Sequence, residues 1–293
     1  MLFSLASSAS FGLIYFVTPL LQPMSGEAVW AVRALVSLPF VTVVLLVSRD
    51  WRLVTEFGAR LRRRPVLILG MLASSALLAV QLWLFSWAPL NGRAMQVALG
   101  YFLLPLVLVV VGRFLYKDRM VWWQWTAAGL ALIGVLYELM RIGGVSWETL
   151  TVCLGYPVYF VLRRAMGIGH LGGMWWDMAC MIPFAIVVTV FAFHDGTLLD
   201  VNPTLWWAAP LISLFAALAL LFYLVASRLL SMSMFGLLSY VEPALLLVAS
   251  LLIGERITPG EWFTYGAIWA AVLIIVLGGA LELVRARHRG HSG

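Results

Sequence analysis

The feature that most constrains this chain is a series of ten long apolar stretches, separated by short segments that carry charges, glycine or proline. A membrane-spanning helix needs about 20 predominantly apolar residues. The stretches run over about 2–21, 28–48, 65–86, 94–115, 121–139, 148–163, 172–193, 205–226, 233–253 and 262–282. Their lengths and number predict an all-α integral membrane protein with ten transmembrane helices.

The composition leaves no room for a separate soluble domain. Of the 293 residues, 63% are hydrophobic and 11% are charged, whereas a soluble domain is about half apolar and a quarter charged. The two cysteines and four histidines form no spacing pattern for a disulfide framework or a metal site. We therefore expect no cofactor and no metal, and we expect no enzyme, because no catalytic cluster shares a helix face.

The basic residues predict the orientation, since cytoplasmic loops of membrane proteins carry an excess of Lys and Arg. With both termini inside, fifteen of the 19 basic residues fall on the cytoplasmic side. These are Arg49, Arg52, Arg60, Arg62, Arg63, Arg64, Arg113, Lys117, Arg119, Arg163, Arg164, Arg228, Arg285, Arg287 and Arg289. The net charge of +6 follows from this bias, so no nucleic-acid partner is expected. We expect a multi-pass protein of the inner (plasma) membrane, surrounded by bilayer lipid, with cytoplasmic termini.

An internal repeat is visible as four short matches that keep the same order in both halves. They align Tyr15 with Tyr159, Arg33 to Pro39 with Asp177 to Pro183, Tyr101 to Pro105 with Tyr240 to Pro243, and Asp118-Arg119 with Glu255-Arg256. Five helices is an odd number, so the second copy must enter the membrane in the opposite sense. We predict a first five-helix repeat over 1–143, an inverted second repeat over 144–284 and a basic cytoplasmic tail over 285–293. Inverted repeats are typical of transporters.

The repeated motifs resemble the signature of a known family. Leu238-Ser-Tyr-Val-Glu-Pro243 with Gly254-Glu255-Arg256, and their counterpart from Tyr101 to Arg119, are similar to the drug/metabolite transporter superfamily in its EamA-type ten-helix branch. The likeness covers nearly the whole chain and is strongest to aromatic amino-acid exporters of the YddG type, with the RarD type as a near relative. It implies export of amino acids, including aromatic ones, and of related metabolites by alternating access through a central cavity. A broader drug/metabolite exporter of the same fold is the alternative.

The energy source stays open at this stage. The chain has no GxxxxGK[ST] loop, so direct use of ATP is not expected. Facilitated diffusion and ion-coupled exchange both remain. The first half has Leu104 before Pro105 where the second half has Glu242, so this sequence does not supply an acidic residue at that position in both halves.

Three charges inside predicted spans need an explanation, namely Arg33, Asp177 and Glu242. Glu242 is a candidate for binding a substrate ammonium or exchanging a proton, or else a structural carboxyl that bonds to a neighbouring helix. Arg33 is a candidate for binding a substrate carboxylate through two hydrogen bonds of its guanidinium group. Alternatively, its side chain extends outward and pairs with Glu27 or Glu138. Asp177 occupies the position equivalent to Arg33 near the opposite face, so the two are not expected to pair.

Glycine and proline interrupt the first, fourth, sixth and ninth spans, and unwound backbone at that depth is tolerated only beside a cavity. We predict a substrate cavity among these helices together with the third and eighth; simple helix kinks are the alternative. Embedded tyrosines would line it, although core packing is the favoured explanation for any single ring. The predicted substrate-binding residues are Tyr15, Arg33, Gln81, Trp83, Tyr101, Tyr159, Tyr223, Tyr240 and Glu242.

Small residues recur at matched spacing in the fifth and tenth spans, with Ala127 and Ala131 in one and Gly266 and Ala270 in the other. This pattern predicts a close approach of the two helices. Because the duplication supplies both halves within one chain, we expect a monomer whose other partners are small-molecule substrates.

Overall fold

The computed structural model describes residues 2–115, 121–142, 145–194, 196–229 and 241–290. This part of the chain consists of helices and turns and contains no β-strand, which confirms the all-α prediction. The helices are α1 (Leu2–Val17, continued by a 3₁₀ turn over Thr18–Leu21), α2 (Gly26–Val47), α3 (Arg52–Arg63), α4 (Val66–Trp87, continued by a 3₁₀ turn over Ala88–Leu90), α5 (Ala94–Leu115), α6 (Trp122–Ile142), α7 (Trp147–Met166), α8 (Leu171–Phe193), α9 (Thr197–Val201), α10 (Leu205–Leu229), α11 (Val241–Leu252) and α12 (Trp262–Gly290).

Five helices of the described residues are long and apolar enough to cross a membrane, namely Leu2–Leu21, Gly26–Val47, Val66–Leu90, Leu171–Phe193 and Leu205–Tyr223. Shorter apolar stretches lie in four further helices, over Ala94–Leu104, Trp125–Gly134, Val241–Leu252 and Trp262–Gly278. Many large apolar side chains on these helices are exposed, as expected where the surrounding solvent is lipid. The chain is therefore a multi-pass membrane protein. Each of the ten predicted intervals falls on a helix where it is described; that all ten cross the membrane stays a prediction.

Helix α3 is the main element that the apolar pattern does not predict, since residues 49–64 are expected to be a charged cytoplasmic loop. Its Val54, Phe57 and Leu61 follow the i, i+3, i+7 spacing of an amphipathic helix, and all three are buried. The arginines of the segment lie on its exposed side. A search for spans of about 20 apolar residues passes over a helix that is apolar on one face only.

The chain divides into two compact units. Unit 1 comprises Met1–Gly12, Met95–Pro157 and Phe222–Gly293, and unit 2 comprises Leu13–Ala94 and Val158–Leu221. Each unit therefore combines segments from both predicted repeats.

In unit 2, helices α2 and α8 pack against each other and α4 packs against both. The α2–α8 contact is made by small side chains, with Ala31, Ala34 and Ala185 forming a buried cluster. At the start of α2, a Cβ atom on Gly26 would lie 2.6 Å from the Cα of Trp87. Only glycine permits this approach of the backbone to the end of α4.

In unit 1, helices α6 and α12 pack against each other. Ala127 and Ala131 are buried, as predicted for a close helix approach. On α12 the contact is made by the side that carries Ala267, because a Cβ on Gly134 of α6 would lie 3.1 Å from the Cβ of Ala267. Gly266 is exposed, with nothing within 4 Å of the position of a Cβ. The predicted approach is therefore correct, but the use of Gly266 in it is wrong.

Within the described residues, the backbone is helical or forms a 3₁₀ turn where glycine and proline interrupt the apolar spans. Helix α7 runs without a break through Gly155 and Pro157, and α5 runs through Pro105. Helix α1 ends at Val17, and Pro19 lies in the 3₁₀ turn that follows it. In the described residues, these positions therefore match the alternative of continuous or kinked helices.

Candidate functional site

The polar centre of unit 1 is a pair of tyrosines on neighbouring helices. The hydroxyls of Tyr101 in α5 and Tyr156 in α7 lie 3.1 Å apart, and their ring centroids are separated by 5.7 Å with the planes inclined at 52°. Both side chains are half-buried. A phenol can both donate and accept a hydrogen bond, so either hydroxyl can be the donor in this pair.

A carboxyl group completes this centre. Glu242 in α11 is half-buried and interacts electrostatically with Tyr156 and with Tyr223 in α10. Tyr156 and Tyr223 also interact with each other. Tyr156 is thus linked to Tyr101 by a hydrogen bond and to Glu242 and Tyr223 by electrostatic interactions, and we call these four residues the tyrosine–glutamate cluster.

The cluster combines an acidic group with phenol rings. A carboxylate in apolar surroundings is costly unless it is paired. Phenol rings attract cations to their faces and pack against other aromatic rings, and a phenolic hydroxyl can donate a hydrogen bond to an anionic oxygen. The cluster therefore has groups that can bind cationic, aromatic and hydrogen-bond-accepting parts of a small molecule.

A glycine brings the two tyrosine helices into contact. A Cβ on Gly100 would lie 2.7 Å from the Cβ of Val152 and 2.9 Å from the carbonyl oxygen of Thr149. Thr149 also donates its hydroxyl to the carbonyl of Gln96 at 2.8 Å. Because α5 and α7 meet at this glycine, the next residue, Tyr101, reaches the phenol of α7.

Helix α1 borders the same unit. A Cβ on Gly12 would lie 2.9 Å from the Cβ of Leu245 in α11, and the ring of Phe3 lies 6.0 Å from that of Phe222 in α10. The helices in and around the cluster are therefore α1, α5, α7, α10 and α11. These five belong to the six that the sequence places around the cavity.

The acidic motif after α11 has a structural role. The backbone N–H of Met95 donates to Glu255 Oε2 at 2.5 Å, which satisfies one of the first amides of α5. Gly254 supplies the positive φ of 101° that turns the chain at this point. The equivalent Asp118 of the first half lies outside the described residues.

Two predicted site tyrosines lie in unit 2 and are buried. Tyr15 donates its hydroxyl to the carbonyl of Ala94 at 3.0 Å, and its ring packs 4.9 Å from that of Phe85. Tyr159 donates to Asp177 Oδ2 at 3.1 Å. Both hydroxyls thus bond to the protein itself, and a contact between either ring and a substrate stays a prediction.

The other predicted site residues of unit 2 lie on α2 and α4. Arg33 donates to Ser86 Oγ at 3.0 Å, and its guanidinium lies 5.2 Å from the ring centroid of Phe85. Trp83 donates its indole N–H to Glu27 at 3.0 Å, and Gln81 is buried. Tyr240 and the side chain of Glu138 lie outside the described residues.

Asp177 is explained by a buried ion pair. The guanidinium of Arg163 lies 3.1 Å from Asp177 Oδ2, and Ser74 donates to the other carboxylate oxygen at 2.8 Å. Arg163 also donates to the carbonyls of Ile168 at 2.6 Å and His170 at 2.8 Å. These bonds fix the turn between α7 and α8. The sequence gives no hint of this pairing, because Arg163 is counted there as a loop charge.

Tyr156 is the one cluster residue that sequence reasoning missed. It stands between Gly155 and Pro157, the two residues that mark the sixth span as interrupted. The repeat comparison selected only tyrosines with a counterpart in the other half, and the equivalent of Tyr156 is not a tyrosine. Attention to polar residues within the interruption would have identified it.

Comparison with known proteins places the chain in a family. It is 38% identical over 290 residues to the chloramphenicol-sensitive protein RarD of Pseudomonas aeruginosa, and the match covers 99% of this chain and 97% of that protein. The chain belongs to the RarD family. It is also 35% identical to an uncharacterized transporter of Pasteurella multocida, over 97% of both chains, and 30% identical to protein RarD of Escherichia coli, over 92% of this chain and 88% of that one.

No family model matches this RarD-family chain. Among solved structures, one crystal structure has a TM-score of 0.51 with 14% sequence identity, and the match covers 94% of this chain and 98% of that chain. At such an identity the likeness concerns the fold alone.

Proposed function

We propose that this protein is a secondary membrane transporter that exports amino acids, including aromatic ones, and related metabolites. Support comes from relatives that bear transporter names and from helices that suit a bilayer. The observation that carries the proposal is the tyrosine–glutamate cluster, in which the hydroxyls of Tyr101 and Tyr156 lie 3.1 Å apart and Glu242 interacts electrostatically with Tyr156 and Tyr223. Intramembrane ionisable residues are rare and usually functional.

In this proposal the cluster binds the substrate directly. Glu242 pairs with the α-ammonium group, the hydroxyl of Tyr101 or Tyr156 donates a hydrogen bond to the substrate carboxylate, and the ring of Tyr223 packs against the substrate side chain. The remaining predicted site residues have a supporting role; these are Tyr15, Arg33, Gln81, Trp83, Tyr159 and Tyr240. An aromatic contact adds about 0.5–1.5 kcal/mol beyond burial, which would favour aromatic substrates.

The architecture that we propose for transport is a 5+5 inverted repeat of ten spans with cytoplasmic termini and alternating access around a central cavity. Two helix pairs support it, because α2 packs with α8 and α6 packs with α12, and each pair joins equivalent spans of the two copies. The unit boundaries after Gly12 and after Pro157 also fall at equivalent positions of the repeat, to within one residue.

For the energy source, we propose that Glu242 exchanges a proton for the substrate ammonium, so that the two cations use one carboxyl in turn. In facilitated exchange, Glu242 would still bind the substrate ammonium, but it would not take up or release a proton. A pH gradient that accelerates uphill flux distinguishes proton coupling from facilitated exchange.

A broader drug exporter is the second candidate function. The observation that favours it is the name of the Pseudomonas aeruginosa relative, which refers to chloramphenicol sensitivity. Chloramphenicol is a neutral aromatic compound, so its recognition would depend on the phenol rings of the cluster more than on Glu242.

The experiment is uptake of labelled tryptophan, phenylalanine, threonine, chloramphenicol and a cationic drug into proteoliposomes that contain the purified protein, with and without a pH gradient. We expect saturable flux of the amino acids and mutual competition among them. Flux of the drugs alone would support the second candidate, and the absence of saturable flux for every compound would overturn both.

A further inference from the structure

Helix α3 carries a dense set of exposed arginines at one end of the unit 2 helices. Arg49 and Arg52 lie at its start and Arg62, Arg63 and Arg64 at its end, and all five side chains are exposed. We call them the arginine platform. The acidic residues of the same segment are Asp50 and Glu56, so the platform has a clear excess of positive charge.

The helix below the platform is held firmly to the protein. Phe57 and Leu61 belong to a buried cluster with Met71, Met166 and Ile168. Arg60, which is not part of the platform, donates to the carbonyl of Met166 at 2.7 Å. The indole of Trp176 donates to the carbonyl of Val54 at 3.0 Å. The apolar face of α3 is thus covered by protein, and the basic face of the helix points outward.

The position of the platform is given by the apolar side chains on either side of it. Leu46 and Val47 precede Arg49 and are 55% and 79% exposed, while Val66 and Leu69 follow Arg64 and are 73% and 70% exposed. Large apolar groups that are this exposed at the ends of spanning helices face lipid tails. The arginines therefore begin where the lipid-facing surface ends, which is the level of the lipid headgroups.

We propose that the arginine platform binds the headgroups of anionic phospholipids and so anchors α3 at the membrane surface. Guanidinium groups bind phosphate oxygens through two parallel hydrogen bonds. A basic residue near an anionic bilayer surface contributes about 1 kcal/mol. An orientation signal alone requires positive charges in a loop, whereas here the charges lie on a helix that several contacts hold in place.

The test compares the wild type with the triple variant Arg62→Gln/Arg63→Gln/Arg64→Gln in detergent micelles. The matched control, called the tail control, is Arg285→Gln/Arg287→Gln/Arg289→Gln, which removes three arginines from the C-terminal end of α12. Phosphatidylglycerol, phosphatidylcholine and inorganic phosphate are titrated separately. Binding is followed by the thermal midpoint and by the lipid retained in native mass spectrometry.

We expect phosphatidylglycerol, and not phosphatidylcholine, to raise the midpoint of the wild type and of the tail control. The affinity of the triple variant should fall by about fivefold for each arginine removed. The proposal is overturned if the triple variant binds phosphatidylglycerol as the wild type does, if the tail control loses affinity to the same extent, or if inorganic phosphate replaces the lipid. Lysine at the three positions should restore much of the affinity, which separates loss of charge from misfolding.

Discussion

The hydroxyl of Tyr101 lies 3.1 Å from that of Tyr156, and this bond joins α5 to α7. The electrostatic interaction of Glu242 with Tyr156 links the pair to a third helix, and Tyr223 adds a fourth. Polar groups in an apolar bundle are stable only when they satisfy one another or a ligand. In the proposed function, this cluster is the place where the polar groups of the substrate bind.

Removal of one phenol should weaken substrate binding. Tyr156→Phe keeps the ring and deletes the hydroxyl, and a hydrogen bond contributes about 1 kcal/mol. We expect KM for amino acids to rise by about fivefold with little change in the amount of folded protein. Tyr137→Phe is the matched control, because Tyr137 is an exposed ring of α6 that packs against Phe263. Equal KM values for the two variants would contradict a role of the cluster in binding.

Gly100→Ala should separate the two tyrosine helices. The added methyl group would lie 2.7 Å from the Cβ of Val152 and 2.9 Å from a backbone oxygen, and overpacking of this kind costs about 1–3 kcal/mol. We expect a lower thermal midpoint and reduced transport. Gly129→Ala in α6 meets nothing within 4 Å and should be neutral or slightly stabilising. If both variants behave alike, the close contact of α5 with α7 is not required.

Asp177→Asn should destabilise unit 2. It removes the charge that faces Arg163 at 3.1 Å, and an uncompensated buried charge costs about 3–5 kcal/mol. The control is Asp200→Asn, since Asp200 is an exposed carboxyl of the same unit, and such surface changes stay within about 0.5 kcal/mol. Thermal midpoints in detergent measure both. An Asp177→Asn midpoint close to that of the wild type would show that the ion pair is dispensable.

His170 should make stability depend on pH. Burial lowers the pKa of His170 below its ordinary value of 6.5, and the positive charges of Arg163 and Arg60 lower it further, against a smaller opposing effect of Glu56. The unfolded chain then binds the proton more readily than the native protein does. Stability is therefore complete above about pH 6.5 and decreases as the pH falls below that value. Protonation also removes the acceptor nitrogen that bonds to the N–H of Gly173 at 3.3 Å.

The check is the thermal midpoint from about pH 5 to pH 8, across the range in which histidine titrates. His170→Asn keeps a capping acceptor without titrating, so its midpoint should vary less with pH than that of the wild type. His194→Asn at the exposed far end of α8 should leave the dependence unchanged. The assignment to His170 is wrong if His194→Asn, and not His170→Asn, flattens the profile.

Much of the fold follows from the sequence, because lipid as a solvent demands long apolar helices. The positions of α2, α4, α8 and α10 can be predicted from hydropathy alone. The position of α3 cannot be predicted in this way, since only the spacing of Val54, Phe57 and Leu61 indicates its buried face. Its stability depends on Met166 and Trp176, which lie more than a hundred residues away in the chain.

The candidate site is predicted in part for a similar reason. Glu242, Tyr101 and Tyr223 can be predicted as polar groups in apolar spans, whereas Tyr156 is passed over because its repeat counterpart is not a tyrosine. Asp177 was also noted as a charge within a span. Its explanation by Arg163 requires the turn between α7 and α8, which sequence spacing does not supply.

The central claim is that the tyrosine–glutamate cluster binds and moves amino acids, and counterflow tests it most directly. Proteoliposomes are loaded with unlabelled tryptophan, and the entry of labelled tryptophan is followed over a range of external concentrations for the wild type and for Glu242→Gln. We predict saturable accumulation in the wild type and its loss in Glu242→Gln at equal amounts of folded protein. No accumulation in the wild type, or equal accumulation in the two proteins, would contradict the claim.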